Sequence, residues 1–291
     1  MKRILVYGNC QAGPVGRLIE RATADFEVVR APPVHTIAPG EVDALEAAVR
    51  GADIVLAQPV DARWGRLGTA QLRAVFGRPD WIEFPSIYFD GLFPYLQFMR
   101  LADGASLIGP LVDYHDQRIV SAFLEGLPQP ECVERLARAD EAVCRQRFHA
   151  GLAESRRRER DLPIRVMDVV ESRLGTDRVF HTFNHPANIV MWEAVTQFLR
   201  LLDVPARVDT PPVNQYLDTV VAAIPPVLAD VAGVRFTDAS YHQDRRPLDP
   251  VELVARYYAL YAATPGFASI VEANRSAGRG DLGPAFRRLA G

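Results

Sequence analysis

The chain has 291 residues, 48% of them hydrophobic and 24% charged, and its formal net charge at pH 7 is −3. A chain of this length can bury a large core; it is long for one average domain and short for two. The mild charge argues against a general nucleic-acid-binding protein. The sequence has no run of about 18 apolar residues, so we predict no membrane-spanning segment. Because the N-terminus leads directly into a strand pattern, we expect no secretory signal.

The cysteine and lysine content indicates in which compartment the protein works and which ligands it can bind. Cys10, Cys132 and Cys144 show neither a CxxC spacing nor an even disulfide framework, so we expect a reduced, cytoplasmic protein without a metal site. Lys2 is the only lysine, and arginine supplies the remaining positive charge. This bias reflects either codon usage or recognition of phosphate and carboxylate groups by guanidinium side chains.

The N-terminal stretch predicts a buried strand that ends at a cysteine. The apolar run from Ile4 to Tyr7 is broken by Gly8 and Asn9, Cys10 falls on the turn, and helical spacing follows. A thiol at the start of a helix is favoured as thiolate and lies beside backbone N–H groups that have no partner within the helix. The pattern predicts Cys10 as a nucleophile; a buried structural cysteine is the alternative.

Strand and helix patterns alternate through the first part of the chain. Further strands are predicted over Phe26–Arg30, Asp53–Ala57 and Trp81–Phe84, and helices over Glu41–Arg50 and Leu67–Phe76. The alternation predicts an α/β fold with a doubly wound, mainly parallel sheet, in which ligands bind beyond the carboxyl ends of the strands. Cys10, Gln58 and the loop Pro85–Gly91 all follow predicted strands.

Two segments in the middle of the chain, an aromatic stretch and an arginine-rich helical region, can each be interpreted in two ways. The aromatic stretch Phe84–Tyr95 either lines a pocket or covers a sheet edge. Residues 117–161 read as a helical insertion, whose arginines form either a solvated helix face or a phosphate-binding edge: Arg156, Arg157, Arg158 and Arg160. The polar cluster Asp113–Asp116 contains His115, which is more typical of a helix cap or surface residue than of a site.

A second strand-to-helix corner carries a histidine. A strand is predicted over Arg178–Thr182, and a helix with a clear apolar stripe begins near Pro186. Because proline suits the first helical position, the pattern places His185 at the cap. The positive end of a helix disfavours imidazolium, so we predict His185 as a neutral general base.

These corners suggest one site in one catalytic domain. We predict an α/β catalytic domain over residues 1–205, including the insertion, and a mostly helical elaboration over 206–291 that packs on it. Within it, Cys10 and His185 form the catalytic pair. The residues that hold an oxyanion or position substrate are Asn9, Gln11, Gln58 and Asn184, and those that line the pocket are Tyr88, Asp90 and Asn188.

Three blocks in this order resemble the WcbI-type polysaccharide biosynthesis family. They are Tyr7-Gly-Asn-Cys-Gln11, the aromatic stretch with Phe89-Asp90-Gly91, and Asn184-His-Pro-Ala-Asn188, and the similarity covers about the first 205 residues. The resemblance implies a role in capsule or exopolysaccharide assembly, coenzyme A binding and acetyltransferase activity. Acetyl-CoA is then the expected co-substrate, and a sugar or glycan the acceptor.

The layout also resembles the SGNH hydrolase and acyltransferase superfamily. In that pattern a Gly-Asp-Ser corner carries the nucleophile and a late Asp-x-x-His-Pro carries the base. Here Gly8-Asn9-Cys10 takes the first place and His185-Pro186 the second, whereas Thr182 falls on the aspartate position. The resemblance therefore implies a Cys–His dyad rather than a triad.

Four functions stay open on these grounds, and a CoA-dependent O-acyltransferase is preferred. An esterase acting on acylated glycans would use the same residues, and a non-catalytic glycan-assembly protein would leave Cys10 structural. A nucleotide-binding loop is disfavoured, because Gly8, Gly13 and Gly16 lack the GxGxxG spacing and Arg30 replaces the expected acidic residue. The sequence does not decide the oligomeric state, and a homo-oligomer is compatible with it.

Overall fold

The computed structural model describes residues 1–77 and 80–278. The strands are β1 (Lys2–Tyr7), β2 (Phe26–Arg30), β3 (Ile54–Ala57), β4 (Asp80–Glu83), β5 (Leu96–Phe98), β6 (Tyr114–Asp116), β7 (Phe180–Thr182), β8 (His185–Pro186), β9 (Val220–Val221), β10 (His242–Gln243) and β11 (Arg246–Pro247). The helices are α1 (Ala12–Ala22), α2 (Val42–Arg50), α3 (Thr69–Val75), α4 (Gln117–Leu124), α5 (Gln129–Leu136), α6 (Glu141–Glu159), α7 (Met167–Arg173), α8 (Asn188–Leu201), α9 (Leu228–Ala232), α10 (Pro250–Ala263) and α11 (Phe267–Ser276).

Strands β1 to β4 form a parallel sheet in the order β2-β1-β3-β4. In the register, Ile4 pairs with Val28 on one side and with Ile54 on the other. The residues Ile4 to Tyr7 are fully buried, as expected for a central parallel strand that is covered on both faces. The predicted α/β class with a parallel sheet is confirmed, and the carboxyl ends of its strands lie at one edge.

The chain forms two compact units, each assembled from three segments. The first unit comprises Met1–Tyr88, Ala153–Arg173 and Asn184–Leu217. The second comprises Phe89–Leu152, Leu174–Phe183 and the described residues from Asp218 onward. Late segments return to the early sheet, and the predicted division at residue 205 stays a prediction. The α8 ring of Phe198, for example, packs 6.2 Å from that of Phe26 on β2.

The core of the first unit packs helices against the parallel sheet. On one side, residues of β1 and β3 join α2 and α3 in a cluster that includes Leu5, Tyr7, Val49, Val55 and Leu72. α1 contributes a buried stripe that consists of Val15, Leu18, Ile19 and Ala22. This burial fixes the end of β1, and with it the turn that carries Cys10.

The predicted helical insertion is observed as α4, α5 and α6. The second unit contains α4, α5 and α6 as far as Leu152, and the rest of α6 belongs to the first unit. Pro130 lies in the first turn of α5, a position that suits proline because the N–H it lacks would have no partner within the helix. The C-terminal part holds α9, α10 and α11 but also a three-stranded sheet in the order β11-β10-β9. Residues 279–291 lie outside the described residues. No helix in the described ranges is long and apolar enough to cross a membrane.

His115 is a fully buried core residue of the second unit, neither a cap nor a surface residue. Its Nε2 lies 2.8 Å from the Leu107 carbonyl oxygen and its Nδ1 lies 2.9 Å from the Tyr261 hydroxyl. A carbonyl can only accept, so Nε2 carries the hydrogen and Nδ1 accepts from the tyrosine. Burial lowers the pKa of His115 to about 4, and the ring is neutral at pH 7.

The arginines of the α6 edge are largely paired within the first unit. Arg156 contacts Asp168 and Glu171, and both Arg157 and Arg158 contact Glu154. The alternative of a solvated, salt-bridged helix face is therefore favoured for these three side chains over a phosphate-binding edge.

Candidate functional site

The Cys10 turn is built by the asparagine that precedes it. Asn9 Oδ1 accepts the backbone N–H of Gln11 at 2.9 Å, and the Asn9 carbonyl accepts that of Ala12 at 3.1 Å. This Asx turn reverses the chain between β1 and α1, with Gln11 at the N-cap of the helix. Cys10 is consequently held, partly exposed, at the positive end of α1.

Gln58, which follows β3, packs directly on the backbone of this turn. Its Oε1 accepts the Asn9 N–H at 2.8 Å, and its Nε2 donates to Gln11 Oε1 at 2.8 Å and to the Pro85 carbonyl at 3.2 Å. Gly8 makes the approach possible, since a Cβ there would lie only 2.9 Å from Gln58 Cγ. The Gln58 side chain is 2% exposed, and both of its N–H bonds end on protein atoms.

Gln11 is fully buried and links three segments of the first unit. Its Oε1 accepts the Ile87 N–H at 3.0 Å, and its Nε2 donates to the Ile87 carbonyl at 2.7 Å and to the Asn184 carbonyl at 2.8 Å. The Cys10 turn is thereby tied to the loop after β4 and to the residue before His185. Asn184 takes part through its backbone carbonyl. The predicted role of its side chain in positioning substrate stays a prediction.

His185 lies just outside the helix that we expected it to cap. α8 begins at Asn188 with Ala187 at its N-cap, and His185 lies in the short strand β8. The prediction of a cap position is wrong because the helix start is satisfied from elsewhere: Gln215 Oε1 accepts the Asn188 N–H at 2.7 Å. His185 is half-buried and belongs to the same compact unit as Cys10.

The Asn188 side chain anchors a loop. Its Nδ2 donates to the carbonyls of Pro212 and Asn214, at 3.1 and 2.8 Å, and its Oδ1 accepts the Tyr216 N–H at 3.2 Å. The residue is 1% exposed. Its side chain therefore holds the segment 212–216 against the start of α8. The predicted role of Asn188 in lining the pocket stays a prediction.

Tyr88 and Asp90, the other predicted pocket residues, fall in different units. The Tyr88 carbonyl accepts the Ser155 hydroxyl at 2.7 Å, and the guanidinium carbon of Arg158 lies 4.8 Å from the centre of the tyrosine ring. In the second unit, Asp90 lies 3.9 Å from Arg147. Their roles at a ligand pocket stay predictions.

Ser86 is a site residue that sequence reasoning missed. Its Oγ accepts a hydrogen bond from Asn9 Nδ2 at 2.9 Å, and both side chains reach solvent. Its position in the loop that follows β4, at the same sheet edge as the Cys10 turn, is the signal that identifies it.

The hydrogen-bond donors near Cys10 differ in what they can offer a ligand. The backbone N–H groups of Asn9, Gln11 and Ala12 all donate to protein oxygens. Both N–H bonds of the Gln11 amide and of the Gln58 amide are used as well. Asn9 Nδ2 has two hydrogens and donates one to Ser86, so within the described residues it is the side-chain amide of this cluster with a hydrogen to spare.

In the SGNH-like pattern, Thr182 falls on the position of the triad aspartate, and its hydroxyl binds a tyrosine. The Thr182 hydroxyl donates to the Tyr114 hydroxyl at 2.9 Å inside the second unit. In the described part of the chain, no group of three or more histidine, cysteine or acidic side chains is arranged to hold a metal ion.

Comparison with known proteins identifies the relatives of this fold and site. A family model described as "WcbI, polysaccharide biosynthesis enzyme" matches residues 3–207. No curated protein matches the chain. A solved structure with 17% sequence identity matches with a TM-score of 0.79, over 99% of this chain and 97% of its own. It is described as WcbI, a novel polysaccharide biosynthesis enzyme, in its native form without a disulfide bond between coenzyme A and one of its cysteines.

Proposed function

The chain belongs to the WcbI family of polysaccharide biosynthesis enzymes, and on that premise we propose that it is an O-acyltransferase that moves an acetyl or related group from acyl-CoA to a sugar hydroxyl. The observation that carries the proposal is the buried amide cluster of Gln11 and Gln58, which ties the Cys10 turn to the segment of His185. The description of the related structure mentions coenzyme A together with a cysteine, which supports a CoA thioester as donor.

In the first step, Cys10 takes the acyl group. His185 accepts the thiol proton, and the Cys10 sulfur attacks the thioester carbonyl. A new bond forms between the Cys10 sulfur and the acyl carbon while the bond from that carbon to the CoA sulfur breaks. CoA leaves as a thiol, with the proton returned by His185. Because one thioester replaces another, the exchange needs no further energy source.

In the second step, the acyl group passes to the sugar. His185 accepts the proton of the acceptor hydroxyl, whose oxygen attacks the acyl carbon on Cys10. The ester bond forms as the bond to the Cys10 sulfur breaks, and the cysteine regains its proton from His185. The layout of nucleophile and base resembles the SGNH arrangement, with cysteine in place of serine.

Asn9 is the proposed side-chain donor to the oxyanion in both steps. Among the amides predicted to hold an oxyanion or position substrate, the side chains of Gln11 and Gln58 have both N–H bonds engaged with the protein, whereas Asn9 Nδ2 has one available. A single oxyanion donor typically contributes about 100-fold or more to kcat. We expect Asn9→Ala to lower the rate of acyl transfer by about that factor.

A cysteine nucleophile also fits the absence of an aspartate at the position of Thr182. A thiol is intrinsically nucleophilic and partly ionised at neutral pH, so it depends less on a fully oriented base than a serine does. The α1 N-terminus favours the thiolate further. For the CoA phosphates, Arg17 on the exposed face of α1 is a candidate. Its guanidinium stacks on Tyr216 at 5.4 Å and has no carboxylate partner among the described residues.

The test is release of CoA from acetyl-CoA in the presence of a panel of sugars, sugar nucleotides and oligosaccharides. We expect Cys10→Ala and His185→Ala each to slow transfer by about 100-fold or more. The matched controls, Cys132→Ala for loss of a thiol and His149→Ala for loss of an imidazole, retain it. Transfer that continues at the wild-type rate in both site variants would overturn the mechanism.

An esterase acting on acylated glycans would use the same cysteine and histidine without a CoA site. Calorimetric titration of the protein with CoA separates the two functions. Measurable binding supports the transferase, and its absence favours the esterase.

A further inference from the structure

We propose that Gln11 is a positioning residue that holds the His185 segment and the loop after β4 in register with the Cys10 turn. The catalytic consequence of this inference rests on the proposed function, but the positioning itself does not. Gln11 is fully buried, and its amide makes four hydrogen bonds, between 2.7 and 3.0 Å long, to Ile87, Asn184 and Gln58.

The bond to Asn184 acts directly on the backbone of His185. The Asn184 carbonyl and the His185 N–H belong to one planar peptide unit. By donating to that carbonyl at 2.8 Å, Gln11 Nε2 fixes the orientation of the plane from which His185 begins. A rotation of this plane would redirect the imidazole, and a misplacement of about 1 Å in an active site can cost about 100-fold in rate.

The network permits only one orientation of the Gln11 amide. Gln58 must present its oxygen to the Asn9 N–H, so its Nε2 faces Gln11. Gln11 must therefore present its oxygen to Gln58, and its Nε2 is left facing the carbonyls of Ile87 and Asn184. The Asn9 N–H thus determines, through the side chains of Gln58 and Gln11, that an amide nitrogen and not an oxygen faces the Asn184 carbonyl.

The inference is tested first by nuclear magnetic resonance of the full-length protein labelled at histidine. The His185 ring signal is assigned as the one missing in His185→Ala. In Gln11→Met, which keeps the length of the side chain but removes every hydrogen bond, we expect that signal to move and its pH titration curve to shift. An unchanged signal and titration in a folded variant would overturn the positioning role.

The chain offers a control for the loss of an amide that binds both backbone groups of another residue, at a half-buried position. Gln197 binds both backbone groups of Arg165, as Gln11 binds both backbone groups of Ile87. Its Oε1 accepts the Arg165 N–H at 2.9 Å and its Nε2 donates to the Arg165 carbonyl at 2.6 Å. Gln197→Met therefore removes the same kind of contact elsewhere in the first unit. We expect it to leave the His185 signal unchanged. If it shifts that signal as much as Gln11→Met does, the effect is general destabilisation and the inference fails.

A second variant keeps the test decisive if Gln11→Met does not fold. Gln11→Glu removes both donors when ionised and directs a carboxylate at two carbonyl oxygens, whereas its protonated form restores one donor. At each pH, the position of the His185 signal in Gln11→Glu is compared with its position in wild type. We expect the difference between the two proteins to become smaller as the pH is lowered. A signal that matches wild type at high pH would contradict the inference.

Activity separates this inference from the proposed function. If wild type transfers acyl groups, we expect Gln11→Met to lower kcat by about 100-fold with a smaller change in KM, because substrate binding does not depend on the direction of His185. Equal kcat values in the two proteins would overturn the catalytic consequence. If wild type shows no acyl transfer while the His185 signal still moves, the proposed function fails and the positioning role stands.

Discussion

At the scale of single residues, Gly8 controls how closely Gln58 approaches the Cys10 turn. A side chain at this position would place its Cβ within 2.9 Å of Gln58 Cγ, well inside the normal contact distance. Gln58 would have to move, and the Asn9 N–H would lose its acceptor. Because glycine has no Cβ, Gly8 allows the Gln58 side chain to reach the Asn9 N–H and the Gln11 amide.

We expect Gly8→Ala to lower the free energy of unfolding by about 1–3 kcal/mol through this clash, and to reduce acyl transfer strongly. Gly13→Ala is the matched control, since a Cβ there meets no atom within 4 Å. That substitution, inside α1, is expected to be neutral or to stabilise by up to about 1 kcal/mol. Urea unfolding and turnover of both variants check the prediction; equal effects of the two substitutions would contradict it.

His115 makes stability depend on pH. The pKa of its ring is about 6.5 in the unfolded chain and about 4 in the folded one. The unfolded state therefore binds the proton first, so the stabilisation is fully present above pH 6.5 and is lost as the pH falls towards 4. Since one pKa unit is about 1.4 kcal/mol, the loss at pH 4 amounts to about 3 kcal/mol.

The measurement is urea unfolding of wild type and His115→Gln between pH 7 and pH 4. Carboxylates titrate in both proteins, so the difference between the two isolates the histidine. We expect stability to fall less steeply with decreasing pH in the variant. Parallel curves would show that His115 is not held neutral.

At the scale of elements, the strands of the parallel sheet and the helices between them were predictable, whereas most of the short strands of the second unit and the helix start near His185 were not. The apolar runs Ile4–Tyr7 and Ile54–Ala57 identify β1 and β3 because buried parallel strands need continuous hydrophobic residues. The start of α8 depends on Gln215, a contact across 27 positions, which no local pattern reports. The wrong cap assignment of His185 follows from this difference.

Asn188 illustrates how an element boundary supports the site. Its side chain makes three hydrogen bonds to the segment 212–216. We expect Asn188→Ala to leave buried backbone groups unsatisfied, to cost about 2 kcal/mol and to release the segment. Hydrogen exchange followed by mass spectrometry should show faster exchange over residues 212–216, with Gln197→Met as the control that does not. Unchanged exchange there would refute the anchoring role.

At the scale of the whole molecule, the three cysteines have different environments. Cys132 and Cys144 are fully buried, and burial raises the pKa of each thiol, that of Cys144 to about 11. Cys10 is partly exposed. The sequence showed that the three lack a disulfide or metal spacing. It could not rank their exposure, because burial of Cys132 and Cys144 depends on the packing of the second unit.

We expect iodoacetamide to modify Cys10 alone in the native protein, and all three cysteines after unfolding. Peptide mapping by mass spectrometry before and after denaturation identifies the sites. Native modification of Cys132 or Cys144 would contradict their burial. An inert Cys10 would instead favour a non-catalytic glycan-assembly protein, one of the alternatives that the sequence left open.

The amides around the Cys10 turn were predictable from the sequence as neighbours, but their separate roles were not. The sequence singles out Asn9, Gln11 and Gln58 because amides follow strand ends. Only the structure distinguishes them, since their roles depend on which hydrogens are already used. The family resemblance in the first 205 residues is confirmed by the match over residues 3–207.

The central claim, that Cys10 carries the acyl group with His185 as its base, is tested most directly by rapid-quench mass spectrometry of the intact protein mixed with acetyl-CoA. We predict a mass increase of one acetyl group on wild type, located on Cys10 by peptide mapping. The adduct should be absent in Cys10→Ala and form about 100-fold more slowly in His185→Ala. Acyl transfer to an acceptor without any adduct on Cys10, or an adduct that persists in Cys10→Ala, would contradict the account.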